Sequence, residues 1–182
     1  MTDAVDLGTL ERGDGTVTIR FTRQFAHPPE KVWRALTEAE HLDKWFPTSI
    51  DGEFAAGAPL TFRFGKLEMP PMHGQMIACE PPKLLEFTWD DETLRFELDA
   101  YETGTRLDFA ATFAEIGKAA RDAAGWHVCL EQLAADLDGG TGEPLPEGQR
   151  WREVHPQYVA AFGPEASTLG PPQEWQDEYG PA

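Results

Sequence analysis

A chain of 182 residues with 15 Lys and Arg against 32 Asp and Glu carries a net charge of −17. That charge repels phosphate backbones and anionic headgroups, which excludes nucleic acid and acidic membrane surfaces as partners. With 41% apolar and 26% charged residues the composition is that of a soluble globular chain, long enough for one domain with a real core and too short for two ordinary ones.

Residues 1 to about 15 are polar and glycine-rich and are expected to be flexible, and they show neither the basic start nor the apolar block of a secretory signal. "TVTIRFTRQF" then alternates, with Val17, Ile19, Phe21 and Phe25 against Thr18, Arg20 and Thr22, the pattern of a half-buried strand. Pro28 and Pro29 end it and open a helix, because a first helical turn has N–H groups without partners. Val32, Ala35, Leu36 and Ala39 recur at helical spacing, and Trp33 is assigned to packing on that side. Thr37, with Glu40 three residues on, predicts a capping box for a second short helix that presents Leu42, Trp45 and Phe46 before Pro47.

The period then becomes two. "FAAGAPLTFRF" predicts a hairpin turning at Ala56-Gly57, with Leu60, Phe62 and Phe64 on one face, and "MHGQMIAC" predicts a strand between two proline pairs. Leu85, Phe87 and Trp89 alternate, as do Leu94, Phe96 and Leu98, then Leu107, Phe109, Ala111 and Phe113, and the turn-like "DDET" and "ETGT" separate them. Short connections predict an antiparallel meander with one dry face. In "KAARDAAGWHVCLEQLAADLDGG" the residues Trp126, Leu130, Leu133 and Leu137 fall on one helical stripe that ends at Gly139-Gly140. It is the only predicted helix long enough to cover the sheet. Residues 141–182 read as an acidic extension. "TGEPLPEG" is its linker, a short helix is predicted at about 149–162 through Trp151, Val154, Tyr158 and Phe162, and the end is expected to be disordered, with Trp175 and Tyr179 as anchors.

The five histidines show no H-x-x-x-H spacing and the cysteines no C-x-x-C, so no metal site is expected. His127 is expected at the solvent or the sheet's rim. Cys79 and Cys129 sit in apolar periodic segments and read as buried free thiols, which suits a cytoplasmic protein. No nucleophile elbow, phosphate loop or dinucleotide fingerprint is present, so no cofactor is expected. Asp90, Asp91 and Glu92 read as a solvated turn, and Arg63 and Arg95 as water-facing. No catalytic constellation emerges. No apolar run approaches the roughly 20 residues of a spanning helix, so no membrane insertion is expected.

In order along the chain, "PPEKVWRALTEAEHLDKWF", the hairpin after it, "EPPKLLEFTW" and "GWHVCLEQL" resemble the activators of heat-shock-protein ATPase of the single-domain bacterial type. These AHSA-like proteins belong to the START and birch-pollen-allergen (SRPBCC) superfamily, and the resemblance covers about residues 16–138. It implies an α+β helix-grip fold over residues 16–140: a curved antiparallel sheet wrapped around a long C-terminal helix, two short helices after the first strand, and an apolar cavity. Members bind lipids, sterols, polyketides or plant hormones, and a few catalyse cyclisation or dehydration. A chain of this length is expected to lack the separate N-terminal domain that makes the eukaryotic activator's major chaperone contacts. Carried onto this sequence, inward rings near the open end of the grip line the void. The implied ligand-binding set is Trp45, Phe46, Phe64, Met76, Phe87, Trp89, Phe96, Phe109 and Trp126, with Trp45 and Phe46 at the entrance. The expectation is non-enzymatic binding of a hydrophobic or aromatic small molecule, lipid- or polyketide-like. A co-chaperone-like or other protein-binding module and a cavity-based cyclase or hydrolase stay open as alternatives.

Overall fold

The computed structural model describes residues 5–140 and 148–182. Thr9–Arg12 (β1) and Val17–Phe25 (β2) lead into two short helices, Pro29–Thr37 (α1) and Ala39–Trp45 (α2). Six strands follow: Ser49–Asp51 (β3), Pro59–Arg63 (β4), Met72–Glu80 (β5), Leu84–Trp89 (β6), Glu92–Tyr101 (β7) and Gly104–Phe113 (β8). The long helix Ala119–Leu137 (α3) comes next, then Gln149–Phe162 (α4) and Gln173–Tyr179 (α5). All eight strands form one antiparallel, curved sheet in the order β1-β2-β8-β7-β6-β5-β4-β3. The meander from β3 to β8 therefore closes onto β2, and Phe21 lies opposite Phe109 across that junction.

The alternation seen in the sequence becomes the inner face. Ile19, Phe21, Leu94, Phe96, Leu107, Phe109 and Ala111 are all buried there. The α3 stripe of Trp126, Leu130, Leu133 and Leu137 is buried with them. Another side of α3 is covered by α4, whose Trp151, Val154, Tyr158 and Phe162 are also buried. The long helix is thus sandwiched, which its 3.6-residue stripe alone did not indicate.

Several local expectations are corrected. Thr9–Arg12 is a strand, paired with Val17–Arg20, because the free edge of β2 offers backbone partners that outweigh a weak local preference. The first arm opposite β4 is Ser49–Asp51, and not the residues just before Gly57. Thr37 does not cap α2. It is still in α1, where its hydroxyl donates to the Trp33 carbonyl at 2.9 Å. The end expected to be disordered contains α5, whose Trp175 packs on Trp151 at 5.2 Å. The linker expectation falls almost wholly on residues 141–147, outside the described residues. Cys79 and Cys129 are free thiols, but half-buried.

His127 is buried, not at the rim. The Tyr158 hydroxyl accepts the Gly8 N–H at 2.9 Å and lies 2.8 Å from His127 Nδ1. On the other side of the ring, His127 Nε2 meets Glu131 Oε1 at 3.1 Å. This chain of bonds ties the N-terminal segment, α3 and α4 together. Burial resists ionisation of Glu131, but hydrogen bonds from His127 and Arg150 prevail and hold its carboxyl down to about 2. The stabilisation it brings is complete above its ordinary value near 4.5 and fades as pH falls toward 2.

Candidate functional site

A cavity of about 680 Å³ opens where the end of α2, the β4–β5 loop, α3 and the C-terminal segment meet. Local chain geometry brings the rings there. Phe46 leaves helical geometry directly after Trp45, so two consecutive rings point into the same region with centroids 5.3 Å apart. At the end of β6, Trp89 is paired with Glu92 across a tight turn. At the neighbouring position Gly74 lets β5 pass close, since a Cβ there would lie 1.9 Å from the Thr88 carbonyl oxygen. Trp126 reaches in from α3, 5.5 Å from Trp89 and 5.7 Å from Phe46. Trp151, Trp175 and Tyr179 with Pro171 and Pro172 also line the cavity.

Five of the chain's six tryptophans line this one cavity. Three of their indole N–H groups are already used within the protein: Trp45 donates to the Ala35 carbonyl (2.8 Å), Trp89 to Thr48 Oγ1 (3.3 Å) and Trp151 to the Arg121 carbonyl (3.2 Å). What the half-buried Trp89 and Trp175 leave for a guest is ring surface, which recognises apolar and aromatic groups, while Trp45, Trp126 and Trp151 are mostly covered and support that wall from behind.

The nine residues expected to bind ligand divide into two sets. Trp45, Phe46, Phe64, Trp89 and Trp126 line the cavity. Met76, Phe87, Phe96 and Phe109 do not, and each is only 1% exposed. The three phenylalanine rings stack in series instead, Phe87 on Phe96 at 6.2 Å and Phe96 on Phe109 at 4.6 Å. Stacked rings at core density leave no void between them. Trp151, Trp175 and Tyr179 complete the cavity and were missed as lining, because the family pattern stops before them. The one signal for them in the sequence was isolated aromatic residues in a polar tail.

A buried charge cluster stands beside the cavity and corrects the reading of Glu92, while Asp90 and Asp91 are exposed as expected. Glu92 is 5% exposed, and Lys118 Nζ donates to its Oε1 at 2.8 Å and approaches Asp91 (3.3 Å) and Asp122 (3.8 Å). Glu92 Oε2 and Asp122 Oδ2 are buried without a donor. One proton carried by Glu92 and given to Asp122 satisfies both oxygens. Burial first, then the charge of Asp122, push Glu92 up to about 8 against the pull of Lys118. The unfolded chain loses this proton near its ordinary value of 4.5. Between about pH 4.5 and 8 the folded state therefore binds the extra proton, and stability falls as pH rises through that window. Glu92→Gln, whose amide can accept from Lys118 and donate to Asp122, is expected to remove this slope. Urea titrations from pH 4.5 to 9 should show the variant gaining on the wild type up to about pH 8. Parallel curves would mean that Glu92 is ionised in the fold.

Among the described residues one group, Glu38, Glu40 and His41, brings three ligand-type atoms within 4.8 Å of one another. None of the three lines the cavity, and His41 Nδ1 already meets Asp136 at 2.7 Å. No helix among the described residues is long and apolar enough to cross a membrane.

A curved sheet gripping a long helix, with a cavity at one end of the grip, defines a cavity-containing binding domain of the helix-grip class. The chain belongs to the family described as activator of Hsp90 ATPase homolog 1-like protein, whose profile matches residues 26–138. A conserved protein of unknown function, EF2215 from Enterococcus faecalis, shares the fold with a TM-score of 0.73 at 22% identity, over 85% of this chain and 90% of that one. CalU16 from Micromonospora echinospora superposes with a TM-score of 0.65 at 22% identity, over 80% and 88%. Protein MLL2253 from Mesorhizobium loti does so with 0.58 at 29% identity, over 69% and 99%. No curated protein is significantly similar to the chain in sequence.

Proposed function

We propose that this protein binds a hydrophobic, ring-bearing small molecule in the aromatic cavity without transforming it. The observation that carries this reading is the convergence of five tryptophans, one each from α2, β6, α3, α4 and α5, on one cavity of about 680 Å³. Such a volume falls within the roughly 300–1,000 Å³ typical of small-molecule sites, which are mostly apolar with few polar groups. Trp45 and Phe46 belong to one ring cluster of the lining and Trp151, Trp175 and Tyr179 to another, so a guest would meet rings of both.

The Glu92–Asp122 pair is the one feature that speaks for the enzymatic alternative. Its acid–base atoms are turned to each other and to Lys118 and Arg121, which is the arrangement of a structural cluster.

Native mass spectrometry of the purified protein tests the reading by searching for a co-purified molecule. N-Phenyl-1-naphthylamine, a neutral fluorescent probe, is expected to bind saturably and to quench tryptophan emission. At about 100 times its dissociation constant a ligand should add roughly 2.7 kcal/mol of stability. A probe that neither saturates nor raises the melting temperature, together with a panel of lipids and aromatic compounds that do not either, would overturn the binding function.

A further inference from the structure

Cations are the minority of the chain's charges, 15 against 32, but among the described residues they are the majority of the charges lining the cavity. Lys44, Arg63, Lys66 and Arg121 stand there against Asp43 and Asp122. The four come from the end of α2, the end of β4 and the loop after it, and α3, so the reversal arises only in the folded chain.

Lys44 and Arg121 are well engaged. Lys44 donates to the buried carboxylate of Asp136 at 2.9 Å, and Arg121 to Asp122 at 2.6 Å and to the Gly170 carbonyl at 3.2 Å. Arg63 differs. Its nearest acid, Asp51, lies 3.6 Å from Nε, and both side chains are more than half exposed. A guanidinium carries five N–H donors, and one loose contact leaves most of them available to a guest. Next to Arg63 stands Phe64, whose ring is 6.4 Å from Trp89. Arg63 and Phe64 both line the cavity, the first exposed and the second half-buried, so donors and ring surface occur along the same mouth.

We infer that the guest is an organic anion, with an apolar ring-bearing body against the tryptophans and a carboxylate or sulfonate group at Arg63. This rests on the binding reading above and adds the charge of the ligand. The negative net charge of the protein does not prevent it. At physiological ionic strength charges are screened over about 8 Å, so the cations lining the mouth act on the headgroup while distant acids do not.

A matched pair of probes tests the inference on the full chain. N-Phenyl-1-naphthylamine and 1-anilinonaphthalene-8-sulfonate share one ring framework and differ by the sulfonate. The anion is expected to bind about tenfold tighter or more, the size of one charge-assisted hydrogen bond. In Arg63→Gln that ratio should collapse toward one, with an unchanged melting temperature of the free protein as the check that the variant folds. If both probes bind with equal affinity, if the neutral one binds tighter, or if Arg63→Gln keeps the ratio, the guest is not an anion held at Arg63, and the binding function stands without it. If neither probe binds, the binding function fails first and takes the inference with it.

Discussion

Trp45→Ala will lower the unfolding free energy by about 3–5 kcal/mol, the range for removing a large buried ring, and Trp33→Ala will lower it by clearly less. From the sequence the opposite order is expected, since Trp33 shares a helix side with Val32 and Leu36 while Trp45 ends its helix just before a proline. The structure reverses it for two reasons. Trp45 is 2% exposed and its ring meets Phe46 and Phe96 edge-on, whereas Trp33 is half-buried at the margin of the core. Its indole N–H also donates to the Ala35 carbonyl, joining the second short helix to the first. Alanine there loses the burial and leaves that carbonyl without its donor. Urea denaturation of both variants decides the order, and a larger loss for Trp33→Ala would restore Trp45 to an exposed gate. Because Trp45 also lines the cavity, its variant should weaken probe binding too.

Phe109→Ala is expected to cost a similar amount, about 3–5 kcal/mol, and to do so as a core substitution. The Phe109 ring lies 4.6 Å from Phe96, 5.0 Å from Trp126 and 6.1 Å from Phe21, so three elements pack on it at once. Neighbours held from three sides cannot collapse into the space left behind, which is the condition for the upper part of the range. Chemical denaturation with an unchanged m-value is the expected readout. A loss below about 1 kcal/mol would place the ring beside an existing void, and would return Phe109 to the lining set that the sequence assigned it.

The site was legible in part. Phe64, Trp89 and Trp126 could be placed on its wall because strand alternation and the family's grip geometry together say which face is inward and which end is open. Met76, Phe87, Phe96 and Phe109 share that inward face, and alternation has no term for depth along a strand. It cannot separate a ring packed on other rings from one facing a void. Glu92 shows the same limit in a different form. In sequence it is the third acid of a turn, and it is buried only because Lys118, 26 residues on, returns to meet its carboxylate.

The sequence by itself determined the order of the elements other than β1, β3 and α5, the inward face of each long strand, the apolar stripe of α3 and the family, because each is written in a local period or an ordered run of motifs. Only the tertiary structure decided the rest. It paired β1 with a strand edge that weak local propensity does not foresee, and it buried His127 by laying Tyr158 over it. It folded the C-terminal extension back so that Trp151, Trp175 and Tyr179 close the cavity, and it gathered four cations around that mouth in an acidic chain. These features depend on contacts between residues far apart in sequence, and their energies come from burial and pairing that no local window contains.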